Sequence, residues 1–366
     1  MEWTKKYNSF NSWKGLAYYQ NYREILDWMN GSKYLPPPVG CSFDPISECN
    51  ISCYFCIGQE YLRNHRNEKA MRKLPTEYLY TLVDFLAEWG VKSICIAGGG
   101  EPSLHEGIWE LPSYAVGKGL DVSFMTNATN INPRLADSLM DCRWVAMSVD
   151  SGDRGTYLKI KGKDLFNTVI KNIENIIKLR ELTHSDVDLC FKFLLLPENQ
   201  YSIYDTCKLA KSLGVQDFHV RPVDFEYKYI KGSRKLDFDI PSILEQFERC
   251  HKEETENFHA YTVTHKFDKE FHVMHNFSNC MATPIDIPIL TDGNAYLCID
   301  HKMNPEYRLG SCYPDPKTIL EWWGSDKHRA MIKTIAVKNC SRCTRSSYNE
   351  QIENVILKDD MCLNFP

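Results

Sequence analysis

Cys49, Cys53 and Cys56 place three thiols within eight residues, a density that asks for a chemical reason. A closed structural zinc or iron–sulfur site takes four ligands, so a tight group of three either borrows a distant fourth or leaves one metal position open for chemistry. His65 is the distant candidate for a zinc reading. A second set stands far down the chain. Cys280, Gly293 and Cys298 follow a C-x12-G-x4-C spacing, and Cys340 and Cys343 form a C-x2-C pair. A hairpin brings the first two together and the pair adds two more, so four thiolates close a tetrahedral cage that suits zinc or a fully ligated 4Fe–4S cluster. Composition does not choose between those metals.

The other cysteines read differently. The chain has 366 residues and fifteen cysteines, and in a long chain without a signal peptide these are metal ligands and buried thiols rather than disulfides. Cys41, Cys95, Cys142, Cys190, Cys207 and Cys250 are isolated, several in apolar runs, where a free cysteine acts as a small hydrophobe. Cys312 and Cys362 are either plain thiols or replacements for one of the four later ligands. A formal charge of −5 with interspersed signs argues against nucleic acid as a partner. The start has no apolar h-region and no run reaches about 18 apolar residues, so the expectation is a cytoplasmic protein with no membrane partner.

Short strand-like runs alternate with helical patterns and must position these thiols. Strands are expected at Cys41–Ile46, Ser93–Ala97, Asp121–Thr126, Trp144–Val149, Val187–Leu195 and Asp217–Arg221. Helices are expected at Thr76–Trp89, with Thr76 as N-cap, and at Leu165–Leu179, Ile203–Leu213 and Ile243–His251. The pattern predicts an α/β fold, a partial (β/α)6 TIM-like barrel over residues 41–257. Residues 1–40, ending in Leu35-Pro36-Pro37-Pro38, read as a helical cap and stiff connector. Residues 258–366 read as a small α+β unit: a strand-like His259–Phe271, a hairpin Ile287–Cys298 turning at Asp292-Gly293, a helix Lys317–Ile335 containing Trp322-Trp323, and the second cysteine set. The first set follows a strand directly, which puts it at the catalytic end of a barrel.

At this point the sequence resembles the radical SAM superfamily, whose hallmark C-x3-C-x-aromatic-C is here Cys49, Cys53, Phe55 and Cys56. The resemblance implies that the three thiolates hold a 4Fe–4S cluster, that S-adenosylmethionine chelates the remaining iron, and that Phe55 packs by the adenine. Ala97-Gly98-Gly99-Gly100-Glu101-Pro102 resembles the family's GGE motif, which implies that Gly99, Gly100 and Glu101 meet the methionine amino group. Thr126-Asn127-Ala128 and Ser148-Val149-Asp150-Ser151-Gly152 look like the polar loops near methionine and ribose, with Asn127, Ser148 and Asp150 as contacts; otherwise they cap loops. The later cysteines are similar to the opening of SPASM and Twitch extensions. A full SPASM pattern would place a cysteine at 349, where this chain has Asn349, so the resemblance implies the Twitch form with one auxiliary 4Fe–4S cluster.

A fully ligated auxiliary cluster acts as an electron relay rather than a Lewis acid, which favours oxidation, and the resemblance points to dehydrogenation of a small sugar- or cyclitol-like substrate. Asp300, His301, Arg221 and Asp224 are the candidate acid–base residues; Arg221 fits equally a cofactor contact or a salt bridge, and Asp300 and His301 equally a hydrogen bond to a cluster sulfur. The alternatives are a peptide-modifying maturase or epimerase, against which a short N-terminal segment leaves little room for a leader-binding module, and a non-catalytic metal-bound regulator. A flavodoxin- or ferredoxin-type protein is the expected electron donor.

Overall fold

Short runs rich in β-branched and aromatic residues build the central sheet, whose mostly parallel strands bury side chains on both faces. The computed structural model describes residues 12–58, 72–223, 237–264, 266–340 and 342–357. Ten strands form one sheet: β1 (Gly40–Phe43), β2 (Ser93–Ile96), β3 (Asp121–Thr126), β4 (Trp144–Ser148), β5 (Asp188–Leu195), β6 (Asp217–Pro222), β7 (His259–Thr262), β8 (Asp286–Ile289), β9 (Asn294–Tyr296) and β10 (Arg308–Ser311). Their order is β10-β9-β8-β1-β2-β3-β4-β5-β6-β7. Strands β1 to β7 pair parallel in chain order. The sheet does not close, so the architecture is the expected partial TIM-like barrel.

Phe43, Ile94, Ile96, Val122, Phe124, Val145, Met147, Leu189, Phe191, Phe193, Phe218 and Val220 are all buried in one apolar cluster with the helices outside. The helices expected at Thr76–Trp89 and Ile203–Leu213 have those bounds, and both end on a left-handed glycine, Gly90 and Gly214. Pro75 rather than Thr76 occupies the cap position of the first, with no side-chain cap bond. The other two expected helices run longer, Phe166–Thr183 and Ile240–Lys252.

Three expectations for the C-terminal part change. The strand-like stretch His259–Phe271 is a strand only to Thr262, and it pairs parallel with β6. It is a seventh barrel strand, which short length and mixed polarity disguise. The hairpin forms about a left-handed Gly293, but its first strand, β8, also pairs parallel with β1, Cys41 facing Ile287 and Phe43 facing Ile289. The auxiliary hairpin thus continues the barrel sheet. The single helix expected over Lys317–Ile335 is broken into Ile319–Trp322 and Asp326–Lys333. Gly324 between them has φ +74°, and Ser325 caps the second piece by accepting from His328 N.

That break is where the N-terminal segment docks. Trp28, on the helix Tyr19–Met29, donates from Nε1 to the Gly324 carbonyl at 2.8 Å, and Trp323 Nε1 donates to Pro36 O at 2.9 Å. His328 is 1% exposed, with ring centroids 5.1 Å from Trp28 and 4.9 Å from Trp323. Burial holds its imidazole down to a pKa of about 3. Between the ordinary histidine value and that one, the unfolded chain takes up a proton that the folded chain refuses, so stability falls as pH falls through about 6.5. Lowering the pH from 8 to 5 therefore costs about 2 kcal/mol through this residue. Thermal unfolding should lose less between those pH values in His328→Phe than in the wild type; an equal loss would refute the assignment.

Candidate functional site

The loop after β1 is held from three sides. Ser52 N donates to Lys161 O at 2.8 Å, Gly100 N to Ile46 O at 3.0 Å, and Glu101 N to Glu48 O at 2.8 Å. The glycine run after β2 fits against it at backbone distance. A Cβ at Gly100 would stand 2.0 Å from Glu48 O, and one at Gly58, two residues beyond Cys56, 2.4 Å from Gly99 O. No side chain larger than hydrogen fits there. Part of what the glycines do is therefore local: they let the loops after β1 and β2 lie on one another.

Glu101 is 2% exposed and already has protein partners. Its carboxylate accepts from Thr126 Oγ1 at 2.6 Å, Asn127 N at 2.6 Å and Ser103 N at 3.1 Å. Burial raises its pKa, and these hydrogen bonds act against the rise. The residue thus ties the loop after β2 to the loop after β3. Asn127 continues the chain of contacts: its Nδ2 reaches Asn50 Oδ1 at 3.0 Å and Cys49 Sγ at 3.8 Å. Ala128 beside it and Asp150 after β4 both have left-handed backbones, φ 59° and 62°, a conformation kept only where surroundings enforce it.

Asp150 is not free to meet a ribose on both oxygens. It forms a buried ion pair with Lys161, at 4% and 2% side-chain exposure, and accepts from Leu194 N at 2.7 Å. Lys161 also donates to Ser148 O at 2.9 Å and stands 5.7 Å from the Phe55 ring centre. Burial opposes its charge, but Asp150 and then Cys53 more than compensate and raise its pKa. Lys161 and Asn199, which donates to Asp150 O at 2.9 Å, carry no motif and were missed in the sequence; a lysine in an amphipathic helix gives no sign that it points inward. Phe55 meets Tyr54 edge to face. Arg221 lies on β6 opposite Leu194, which shares an apolar cluster with Tyr54, Phe55 and Ile57 of the cysteine loop.

The second set also assembles. Cys280, Cys298, Cys340 and Cys343 lie close enough to raise one another's thiol pKa values in several pairings. Asp300 is clamped between Arg342 Nε at 2.7 Å, Thr344 Oγ1 at 2.7 Å and Thr344 N at 2.5 Å. Burial works against its charge, yet Arg342 and Thr344 hold the carboxyl well below its ordinary range. An ionised, fully engaged carboxylate is a clamp rather than a base. His301 stacks on Tyr307 at 4.1 Å, and its Nε2 lies 3.4 Å from Cys340 Sγ. Burial lowers its pKa. Asn349, where a SPASM cysteine was absent, is fully buried; its Oδ1 accepts from Met281 N and Ala282 N, and its Nδ2 faces Cys280 Sγ at 3.8 Å. Cys312 is buried away from this group, its sulfur on Gly293 O. His65, Asp224 and Cys362 lie outside the described residues.

Burial raises the pKa of Cys53, Cys280 and Cys343 to about 12. Thiols so placed become thiolates only against a cation, and metal supplies it. Among the described residues no three Cys, His, Asp or Glu side chains close on one ion-sized point. A 4Fe–4S cluster takes one thiolate per iron, so a set of three leaves one iron open and a set of four leaves none. Both sets therefore fit iron–sulfur clusters.

Residues 44–210 match the model of the Radical SAM superfamily. Mycofactocin maturase MftC of Mycolicibacterium smegmatis is 28% identical over 144 residues, 39% of this chain and 35% of its own. GTP 3′,8-cyclase of Psychromonas ingrahamii is 27% identical over 163 residues, 40% of this chain and 46% of its own. The chain thus spans less than half the length of these curated relatives. The fold resembles that of Streptococcus suis SuiB bound to S-adenosylmethionine, with TM-score 0.64, 17% identity, and coverage of 90% of this chain and 75% of that one. S-adenosylmethionine and a 4Fe–4S cluster are accordingly the cofactors of the first site. Anaerobic reconstitution should give about eight irons per chain, and changing Cys49, Cys53 and Cys56 together to Ala should leave about four. Zinc in place of iron, or a triple variant that keeps the full iron content, contradicts these ligand assignments.

Proposed function

We propose that this radical SAM enzyme oxidatively modifies a peptide, with the second cysteine set as an auxiliary 4Fe–4S site that takes up an electron. The observation that carries the reading is the parallel pairing of β8 with β1. It ties the strand that leads into the first cysteine loop to the hairpin that lies between Cys280 and Cys298. Lys302 Nζ, four residues past Cys298, reaches Asp44 Oδ2 at 2.8 Å, just before the first cysteine loop.

When bound, the cluster and S-adenosylmethionine would supply reductive cleavage of the sulfonium and, through it, removal of a hydrogen atom from the substrate. The chain's part is placement and electrostatics. Cys49, Cys53 and Cys56 would hold three irons; Asn127 steadies Cys49, and Lys161 puts a buried positive charge beside Cys53. Glu101 fixes the two loops that border the cosubstrate. At the second site, His301 and Asn349 address ligand sulfurs, and Asp300 holds the Cys340–Cys343 knuckle through Arg342 and Thr344. Four thiolates leave no open iron there, which suits electron transfer better than substrate chelation.

The peptide is supported by the maturase relative and by likeness to SuiB bound to its precursor peptide SuiA, TM-score 0.64 over 92% of this chain. The relatives reported above are named for a peptide product or for GTP, not for a sugar or cyclitol, so the cyclitol oxidation expected from sequence gives way to the peptide. A flavodoxin- or ferredoxin-type electron donor remains part of the proposal.

Reconstituted protein with dithionite and S-adenosylmethionine should form 5′-deoxyadenosine, and Cys53→Ala should abolish it. With a precursor peptide encoded beside the gene, the product should be lighter by two hydrogens. Cleavage with an unchanged peptide mass would sink the oxidative reading, and no cleavage at all the enzymatic one.

A further inference from the structure

Helices cover one face of β4 to β7, and the alternation that buries Met147, Phe191, Phe193, Phe218 and Val220 there turns a polar set to the other face. Register aligns that set. Ser148 faces Lys192, Lys192 faces His219, and His219 faces Tyr261. Register partners in adjacent strands share a face. Four hydrogen-bonding side chains thus form one row across four neighbouring strands of the barrel interior, and none of them enters the proposed chemistry above.

Lys192 is the charged member of that row, and among the described residues its ammonium has no hydrogen bond or ion pair, only longer-range interactions. Burial lowers its pKa, and Arg221, on the neighbouring strand, lowers it further. Cys190, Asp150 and Cys95 pull the other way, but Asp150 is already bound to Lys161. An ammonium without a hydrogen-bond or ion-pair partner in a poorly solvated interior favours an anion beside it.

We propose that this row receives an anionic group of the substrate, a carboxylate or phosphate, on the Lys192 ammonium, with Ser148, His219 and Tyr261 as its hydrogen-bonding neighbours. The inference rests on the reading of the protein as an enzyme whose substrate enters the barrel; for a peptide, the group is an acidic side chain or the terminal carboxylate. S-adenosylmethionine also carries a carboxylate. Lys161, not Lys192, is the lysine whose charge acts on Cys49 and Cys53, however, and Lys192 stands apart from it on β5.

The test is calorimetric titration of reconstituted protein, with and without saturating S-adenosylmethionine, using glutarate, inorganic phosphate and inorganic pyrophosphate as probes. At least one probe should bind the wild type, Lys192→Met should weaken it about tenfold or more, and Lys192→Arg should stay within about threefold. Iron content and S-adenosylmethionine affinity should be unchanged in both variants. Two results overturn the proposal: no probe binds the wild type more tightly than Lys192→Met, or Lys192→Met weakens S-adenosylmethionine itself about tenfold, which assigns the lysine to the cosubstrate. Failure of the enzyme reading shows separately, as absence of dithionite-dependent cleavage in the wild type, and leaves the anion titration interpretable.

Discussion

Everything near the two cysteine sites depends on β1 having a partner on each edge. With β2 on one side and β8 on the other, both parallel and in unbroken register over Gly40–Phe43, the strand is pinned for its whole length. Sliding by one residue would turn Cys41 and Phe43 out of the core. The loop that leaves β1 therefore starts from a fixed point, and so does the hairpin that leaves β8. Asp286 at the start of β8 reinforces the seam, accepting from Ser42 Oγ on β1 and pairing with Arg345 at 2.8 Å. Because Arg345 lies two residues past Cys343, the seam reaches the C-x2-C knuckle as well. Rigid-body separation of β8 from the barrel would have to break backbone pairing.

The first six barrel strands and the longer helices were legible in the sequence because most carry a strong period and a glycine or proline boundary, whereas β7 and the short helices Leu111–Gly117, Pro133–Leu139 and Arg154–Lys161 do not carry both. Thr76–Trp89 with Gly90 behind it shows this best. The cysteines were legible for another reason: thiol spacing is chemistry written in one dimension. What could not be read were contacts made in three. Lys161 looks like one more exposed helix lysine, yet it is buried against Asp150, eleven positions earlier. Asn349 stood out only as a missing cysteine, and only packing shows it facing Cys280 Sγ. The tryptophan pair at 322–323 fitted a continuous helix until Pro36 and Trp28, almost 300 residues away, claimed the backbone around Gly324. β8 read as half of an isolated hairpin because nothing in four residues announces a partner strand far upstream.

Charge is distributed unevenly between the two faces of this sheet. The side toward the helices is mostly apolar, while the interior face of β5 and β6 holds Lys192, His219 and Arg221, and the ion pair of Asp150 with Lys161 stands beside Cys53. Buried charges are tolerated where each has a counter-charge or a ligand to meet. Asp150 with Lys161 and Asp300 with Arg342 are such matched pairs, and each stands beside a cysteine set. Electroneutrality within the fold is thus arranged around the places where iron and cosubstrate would bring charge of their own.

The docking of Trp28 onto Gly324 also sets a schedule. The helix Tyr19–Met29 leaves the ribosome early, with Tyr22, Ile25, Leu26 and Trp28 making up its apolar side, but its receptor is made from Ile285, Leu309, Ile332 and Ile352. Synthesis of the intervening residues, at about 5–20 per second, takes tens of seconds. Throughout that interval the barrel strands can pair while the first helix waits, greasy and unclaimed. Docking of this helix therefore waits until the C-terminal core has been made.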